Sequence, residues 1–144
     1  MRIFTIVLFI FICTGAIAQP TREELSKELK KTGTNIEQIV SFVADNYNNS
    51  KEQRSSPQIL FVGATSSQKV LNLNYQIKNQ INNAQLEKLK AGAKGLAESE
   101  TCVVPIIYVL LKEHGLTANI LWFDQNMKQI IKSVVDVNSC TGTK

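Results

Sequence analysis

The chain has one histidine, three cysteines, three prolines and one tryptophan among its 144 residues, and this scarcity excludes much chemistry. With His114 alone and no acidic cluster beside it, a catalytic or structural zinc site is not expected. Ser66-Ser67 has no G-x-S-x-G elbow around it and no base within the sequence pattern, so a serine nucleophile is not expected either. No glycine-rich phosphate cradle occurs, and no cofactor is implied. The net charge of +4 is scattered rather than striped. The nearest basic cluster, Lys88, Lys90 and Lys94, reads as a solvated helix face, which argues against a nucleic-acid partner.

The one region rich in apolar residues from its start is the N-terminus. Met1-Arg2 is a short positive start, Ile3 to Ile12 is apolar but for Thr5, and Ala16-Ile17-Ala18 has the small-x-small form of a cleavage site. Residues 1–18 therefore read as an export signal cut after Ala18. The apolar run is about half of the roughly 20 residues that a membrane span needs. Cys13 follows Phe11-Ile12, where a lipid-attachment cysteine would follow a small residue, so no stable membrane anchor is expected after cleavage. The remainder, 19–144, has the length of one domain, with N-terminal helices and a polar loop over 19–57 and an α+β core over 58–144. Its location is expected to be periplasmic or extracellular. Cys102 and Cys140 are the two cysteines left, and an oxidising compartment favours their pairing. Closing that loop stabilises a fold by about 3–4 kcal/mol in the chain-entropy model.

Two capping-box patterns, "TREE" at Thr21–Glu24 and "TNIE" at Thr34–Glu37, predict two N-terminal helices. The first carries Leu25 and Leu29 and stops at Gly33; the second carries Ile36, Ile39, Val40, Val43 and Tyr47 on one face. "NYNNSKEQRSSP", Asn46 to Pro57, is polar and aperiodic and predicts a long loop. Ile59 to Thr65 and the alternating Val70 to Ile77 predict a hairpin across "SSQK". After Asn82-Asn83, the residues Leu86, Leu89, Ala93, Leu96 and Ala97 return to helical spacing. Gly92 and Gly95 would each cost that helix about 1 kcal/mol relative to Ala, and close packing against a neighbour is the expected reason for them. Thr117 to Phe123, the turn "DQNM" with Asp124 as its former, and Lys128 to Val137 predict a second hairpin.

The stretch "ETCVVPIIYVLLKEHG", Glu100 to Gly115, contains both a cysteine and the histidine. Its apolar run fits a buried strand or a buried helix by periodicity, and its ends favour a helix from about Cys102 to His114, with Thr101 as cap and Gly115 as stop. Cys102 and His114 would then stand about 18 Å apart on one rod. A Cys/His nucleophile pair is excluded on that geometry. The bridge to Cys140 requires either a steeply crossing helix or a tail that folds back at Asn138-Ser139.

The alternating "LNLNYQI" strand, a helix, Cys102 opening an apolar helix, Gly115, "ANILWFD", a polar turn at Asp124 and a strand running to Cys140 together resemble a group of small exported proteins of Gram-negative bacteria, largely of unassigned function. The resemblance covers Ile59 to Cys140 and departs at "DQNMK", which lacks the expected turn glycine. Type II secretion pilotins are similar in architecture, as disulfide-bearing α+β proteins. The resemblance implies an α+β fold of about four helices and a four-stranded, mainly antiparallel sheet with one disulfide, and it brings no active site. With no reactive groups in the residues of an exported domain, the expected function is non-enzymatic binding of another protein, as an accessory protein of the bacterial envelope. The alternative is an inhibitor or immunity protein against an envelope-directed toxin or enzyme.

Alternation in the last hairpin places Ala118, Ile120, Trp122, Ile131, Val135 and Val137 on a core face. It places Leu121, Phe123, Ile130 and Val134 on the other, among Asn119, Lys132 and Asp136. Two readings of that half-apolar face stand. The N-terminal helices cover it and make three layers, or it is an exposed patch that docks a protein partner.

Overall fold

The computed structural model describes residues 20–33 and 35–140. The export-signal segment and Thr34 lie outside the described residues. Helix α1 (Arg22–Thr32) opens on the predicted capping box, with Thr21 accepting from the Glu24 amide and Glu24 accepting from the Thr21 amide. It stops at Gly33, whose φ of 57° is the left-handed geometry that glycine adopts without strain. In α2 (Ile36–Asn49) the cap is one residue later than expected: Asn35, through its side chain, accepts from the Glu37 amide. This helix also runs through Asn49, into the segment read as loop. The reason is tertiary, because Tyr47 is buried against Phe61 at 6.2 Å between ring centroids and its hydroxyl donates to the Glu100 carbonyl. Packing of that residue outweighs the poor helix propensity of the asparagines around it.

Strands β1 (Ile59–Ser67) and β2 (Val70–Ile77) form the predicted hairpin, with Gln68 at φ 52° in its two-residue connection. A bulge between Phe61 and Gly63 interrupts β1, where a Cβ on Gly63 would stand 3.0 Å from Asn48 Oδ1. Helix α3 (Asn83–Thr101) starts on an Asn82 capping box and buries only Ala93, Ala97 and Thr101. Gly92 and Gly95 face open space rather than a neighbour, and Leu96 is exposed, so the expected close packing is absent there.

The chain then breaks between α3 and α4 (Pro105–His114), three residues later than the predicted start at Cys102. Pro105 takes the first helical position and forces Val104 into extended geometry, at φ −80° and ψ 114°. Thr101 therefore ends α3 and bonds back to the Ala97 carbonyl instead of capping α4. Gly115, at φ 69°, stops α4 as expected.

Strands β3 (Thr117–Phe123) and β4 (Gln129–Val135) complete a sheet of order β1-β2-β3-β4. Both hairpins are antiparallel and β2 pairs with β3 in parallel, so the sheet is mixed and mostly antiparallel. In the β3–β4 turn Asp124 Oδ1 accepts from the amides of Asn126 and Lys128, and Met127 takes φ 61°. Met127 thus fills the left-handed position of a three-residue hairpin, where glycine is the usual choice.

Each helix of the described residues contributes to one core with the same face of the sheet, α3 the least. That core contains Leu25 and Leu29 of α1, Val40, Val43 and Tyr47 of α2, Ala97 of α3 and Leu110 of α4, together with Leu71, Leu73, Ala118, Ile120 and Val135. Helix α1 sits against α4, where Arg22 stacks on Tyr108 at 3.8 Å and donates to the Cys102 carbonyl, while Lys30 and Ser26 hold Glu113. The three-layer arrangement is thereby replaced by a sheet with helices on one side. Val137, placed in the core by alternation, lies past the end of β4 and is exposed, whereas Ser133 occupies the core face.

Cys102 and Cys140 are bridged, with their Cα atoms 5.5 Å apart. The tail reaches back through a turn at Asp136–Ser139, in which Asp136 accepts from the Asn138 amide and Ser139 Oγ accepts from the Asp136 amide. Lys112 of α4 pins the same tail by donating to the Val137 carbonyl. Bonds from the Asn138 amide, the largest cause, and from Ser139 Oγ hold the Asp136 carboxyl below the usual carboxylate range. Reduction of the bridge, or Cys140→Ser, is expected to cost about 3–4 kcal/mol, read as a fall in melting temperature; an unchanged transition would overturn this account of the tail.

Candidate functional site: the uncovered face of the sheet

Register fixes which residues share the face away from the helices. Across the four strands the rows read Leu60, Gln76, Phe123 and Gln129; Gly63, Asn74, Leu121 and Lys132; then Thr65, Asn72, Asn119 and Val134. The β2 residues in these rows are all amides, and they lie along the sheet rather than away from it. Asn119 donates to Asn72 Oδ1 at 2.8 Å, Asn72 donates to Thr65 Oγ1 at 3.3 Å, and Asn74 donates to the Gly63 carbonyl at 3.0 Å. Gln76 reaches the carbonyl of Gln125 in the β3–β4 turn. Beside this amide strip stand Leu121 and Phe123, half-buried and outside the hydrophobic core, and Val134, 48% exposed. Lys132 is the one charged side chain in the three rows.

Of the four apolar residues that alternation groups here, Leu121, Phe123 and Val134 share the face. Ile130 does not. A register shift opposite Trp122 and Phe123 makes Ile130 the extra residue of a bulge, and it packs against the core instead. There it borders a cleft of about 220 Å³ with Ile77, Ile81 and Leu86, under a rim that includes Asn79 and Asn126. A bulge of this kind leaves no mark in the alternation of apolar residues, so the sequence could not show it.

The opposite face contains an aromatic row that the sequence reading did not assemble. Phe61, Tyr75 and Trp122 are register partners, with centroids 5.0 and 5.1 Å apart, and Tyr47 of α2 joins at Phe61. Arg54 stacks on Tyr47 at 3.7 Å and pairs with Glu100 of α3 at 3.0 Å. Tyr75 Oη and Trp122 Nε1 are buried without a protein partner among the described residues. Burial pushes the Tyr47 hydroxyl up to about 12 and raises Tyr75 as well. This row closes the core under α3 rather than forming an open site, since Tyr75 and Trp122 are each 5% exposed.

Cys102 and His114 are far from any joint chemistry. Cys102 is bridged at the end of α3 and His114 ends α4 beside the left-handed Gly115. Among the described residues no group of three or more His, Cys, Asp or Glu could hold a metal ion. Among them, too, no helix is long and apolar enough to cross a membrane.

No protein-family model matches the chain, and no curated protein matches its sequence. Solved structures do share its fold. A protein of Pseudomonas aeruginosa described as secreted aligns with a TM-score of 0.54 at 16% identity, over 86% of this chain and 99% of that one. The pilotin EpsS of the Vibrio vulnificus type 2 secretion system aligns with a TM-score of 0.51 at 14% identity, over 74% of this chain and 96% of that one. At these identities the likeness is one of fold.

Two outcomes check the assignment of faces. Val134→Lys should change stability by less than about 0.5 kcal/mol, as an exposed substitution, whereas Ile130→Lys should cost about 2 kcal/mol or more by pressing an ammonium toward the core. Equal effects in thermal unfolding would refute the assignment. The tyrosines give a pH test, because an unfolded phenol ionises near about 10 and the folded Tyr47 only at about 12. Stability from its burial is complete below the unfolded value and is lost as pH rises through the folded one. The Tyr47 phenolate, read as the absorbance lost in Tyr47→Phe, should therefore appear together with loss of tertiary structure between those values; a phenolate signal from Tyr47 well before unfolding would contradict it.

Proposed function

We propose that this protein is an exported, non-enzymatic accessory protein of the bacterial envelope that binds another protein through the uncovered face of its sheet. The observation that carries this reading is the asymmetry of that sheet. One face lies under the helices of the described residues, which share one core with it, and the other keeps Leu60, Leu121, Phe123 and Val134 outside the core. An apolar patch set in a nearly uncharged amide surface favours a protein partner over nucleic acid, which would need clustered cations. The fold shared with a secreted protein and with a pilotin supports the envelope role, and the bridged Cys102 and isolated His114 support a role without covalent chemistry. No cofactor is part of this reading, and 19–144 acts in it as one domain.

The test is affinity capture from the native envelope by the mature protein, followed by mass spectrometry, with two variants carried in parallel. Leu121→Asn combined with Val134→Lys should lose the captured partner while keeping the melting temperature within a few degrees, as expected for exposed or half-exposed positions. Lys88→Glu on α3 should retain it. Capture that survives the double substitution, or a partner lost equally in both variants, would reject the uncovered face as the binding surface.

A further inference from the structure

The two edges of the sheet are not equivalent, and the main chain shows it. The Thr117 amide donates to the Lys69 carbonyl, so Thr117, Asn119, Leu121 and Phe123 direct their main-chain groups to β2 and the residues between them direct theirs to β4. Ala118, Ile120 and Trp122 therefore exchange bonds with Val135, Ser133 and Ile131. By the same alternation Lys132 and Val134 turn their N–H and C=O groups outward, away from the sheet. On the other edge, the outward groups belong to Ile59, Phe61, Ala64 and Ser66, and there the first three residues are engaged. Asn48 accepts from the Ala64 amide and donates to its carbonyl, Ser55 accepts from the Phe61 amide, and Ser56 bonds both groups of Ile59. Side chains of α2 and the following loop thus stand in for a fifth strand along β1. Along β4 no described residue does so, and both Lys132 and Val134 are exposed.

We propose that the outer edge of β4 accepts an extended, acidic segment of a partner protein as an added strand, bonded to the main chain of Lys132 and Val134. The inference rests on the reading of this sheet as a protein-binding surface. Charge selects the occupant. Among the described residues, Lys128 and Lys132 of the last hairpin form no ion pair, while the glutamates of α3 are engaged: Glu87 by Lys90, Glu98 by Lys94 and Glu100 by Arg54. A glutamate or aspartate opposite Lys132 would supply the missing carboxylate, and an apolar residue two positions away would lie beside Val134 on the uncovered face. A second copy of this chain fits less well. Antiparallel self-pairing centred on Lys132 sets two ammonium groups opposite each other, and centring it on Ser133 sets Lys132 against Val134 with no countercharge.

The experiment uses two end-capped probe peptides, one alternating valine with glutamate and its twin alternating valine with lysine, titrated into the mature protein at low salt. The acidic peptide should bind at least about ten-fold more tightly than the twin and should slow hydrogen exchange at the Lys132 and Val134 amides, not at Leu121 or Phe123. Val134→Pro removes one outward N–H without touching the bonds to β3, which an edge strand tolerates, and it should abolish that binding. Lys132→Glu should invert the preference between the peptides, and serves where the proline variant fails to fold. Equal binding of both peptides, no binding of either, protection elsewhere, or a dimer through β4 in sedimentation would each overturn the proposal. Capture lost in Leu121→Asn with Val134→Lys while no peptide protects β4 would leave the uncovered face standing and the edge refuted; protection of β4 with capture unaffected by that double variant would do the reverse.

Discussion

The parallel pairing of β2 with β3 is the constraint on which the rest of the arrangement depends. Parallel neighbours cannot be joined by a tight turn, so the chain from Ile77 to Thr117 has to leave one end of the sheet and return to the other. It does so as α3 and α4, and it covers one face on the way. Helix α2 has already turned Tyr47 onto that same face through Phe61, and α1 then seals the outside of α4 with Arg22, Leu25 and Leu29. The helices of the described residues are all used on one side. The disulfide ties the break in the crossover to the tail after β4, so the connection and the last hairpin are closed against each other.

The same constraint decides where a partner could meet the protein. Because the crossover joins the two inner strands, β1 and β4 become the edges, and the sheet has one uncovered face running between them. An amide strip along β2 keeps that face hydrated, since Asn72, Asn74 and Asn119 satisfy one another and the main chain without burying a charge. Apolar residues are confined mostly to the β3–β4 side. The edge at β1 is closed by Asn48, Ser55 and Ser56, which protects a long strand from unwanted pairing. The edge at β4 and the apolar side of the face adjoin, which concentrates both binding features on one flank of the molecule.

Much of this was legible in the residues. Alternation in "LNLNYQI" and "ANILW" placed the strands, the Thr21 capping box, Asn82, Gly33 and Gly115 placed helix ends, and Asp124 placed a turn, because each is a local rule of backbone geometry. Local rules failed where a distant contact competed. Tyr47 kept Asn46 to Asn49 helical through Phe61; the start of α4 at Pro105 rather than Cys102 is by contrast a local effect, the proline setting the residue before it. The candidate face was legible in Leu121, Phe123 and Val134 and misleading in Ile130, which a bulge turned inward.

The sequence by itself determined the elements, the face each strand buries and the pairing of its last two cysteines, since these depend on periodicity, caps and composition. Only the tertiary structure decided that β2 and β3 run parallel, that the described helices lie on one side, and that one edge is largely closed while the other is open. Those outcomes depend on which segments meet across long separations, as when Asn48 reaches Ala64 or Arg54 reaches Glu100. A side chain's own neighbours in sequence contain no information about such meetings, because the free energy that selects them comes from burial and pairing shared among all the elements at once.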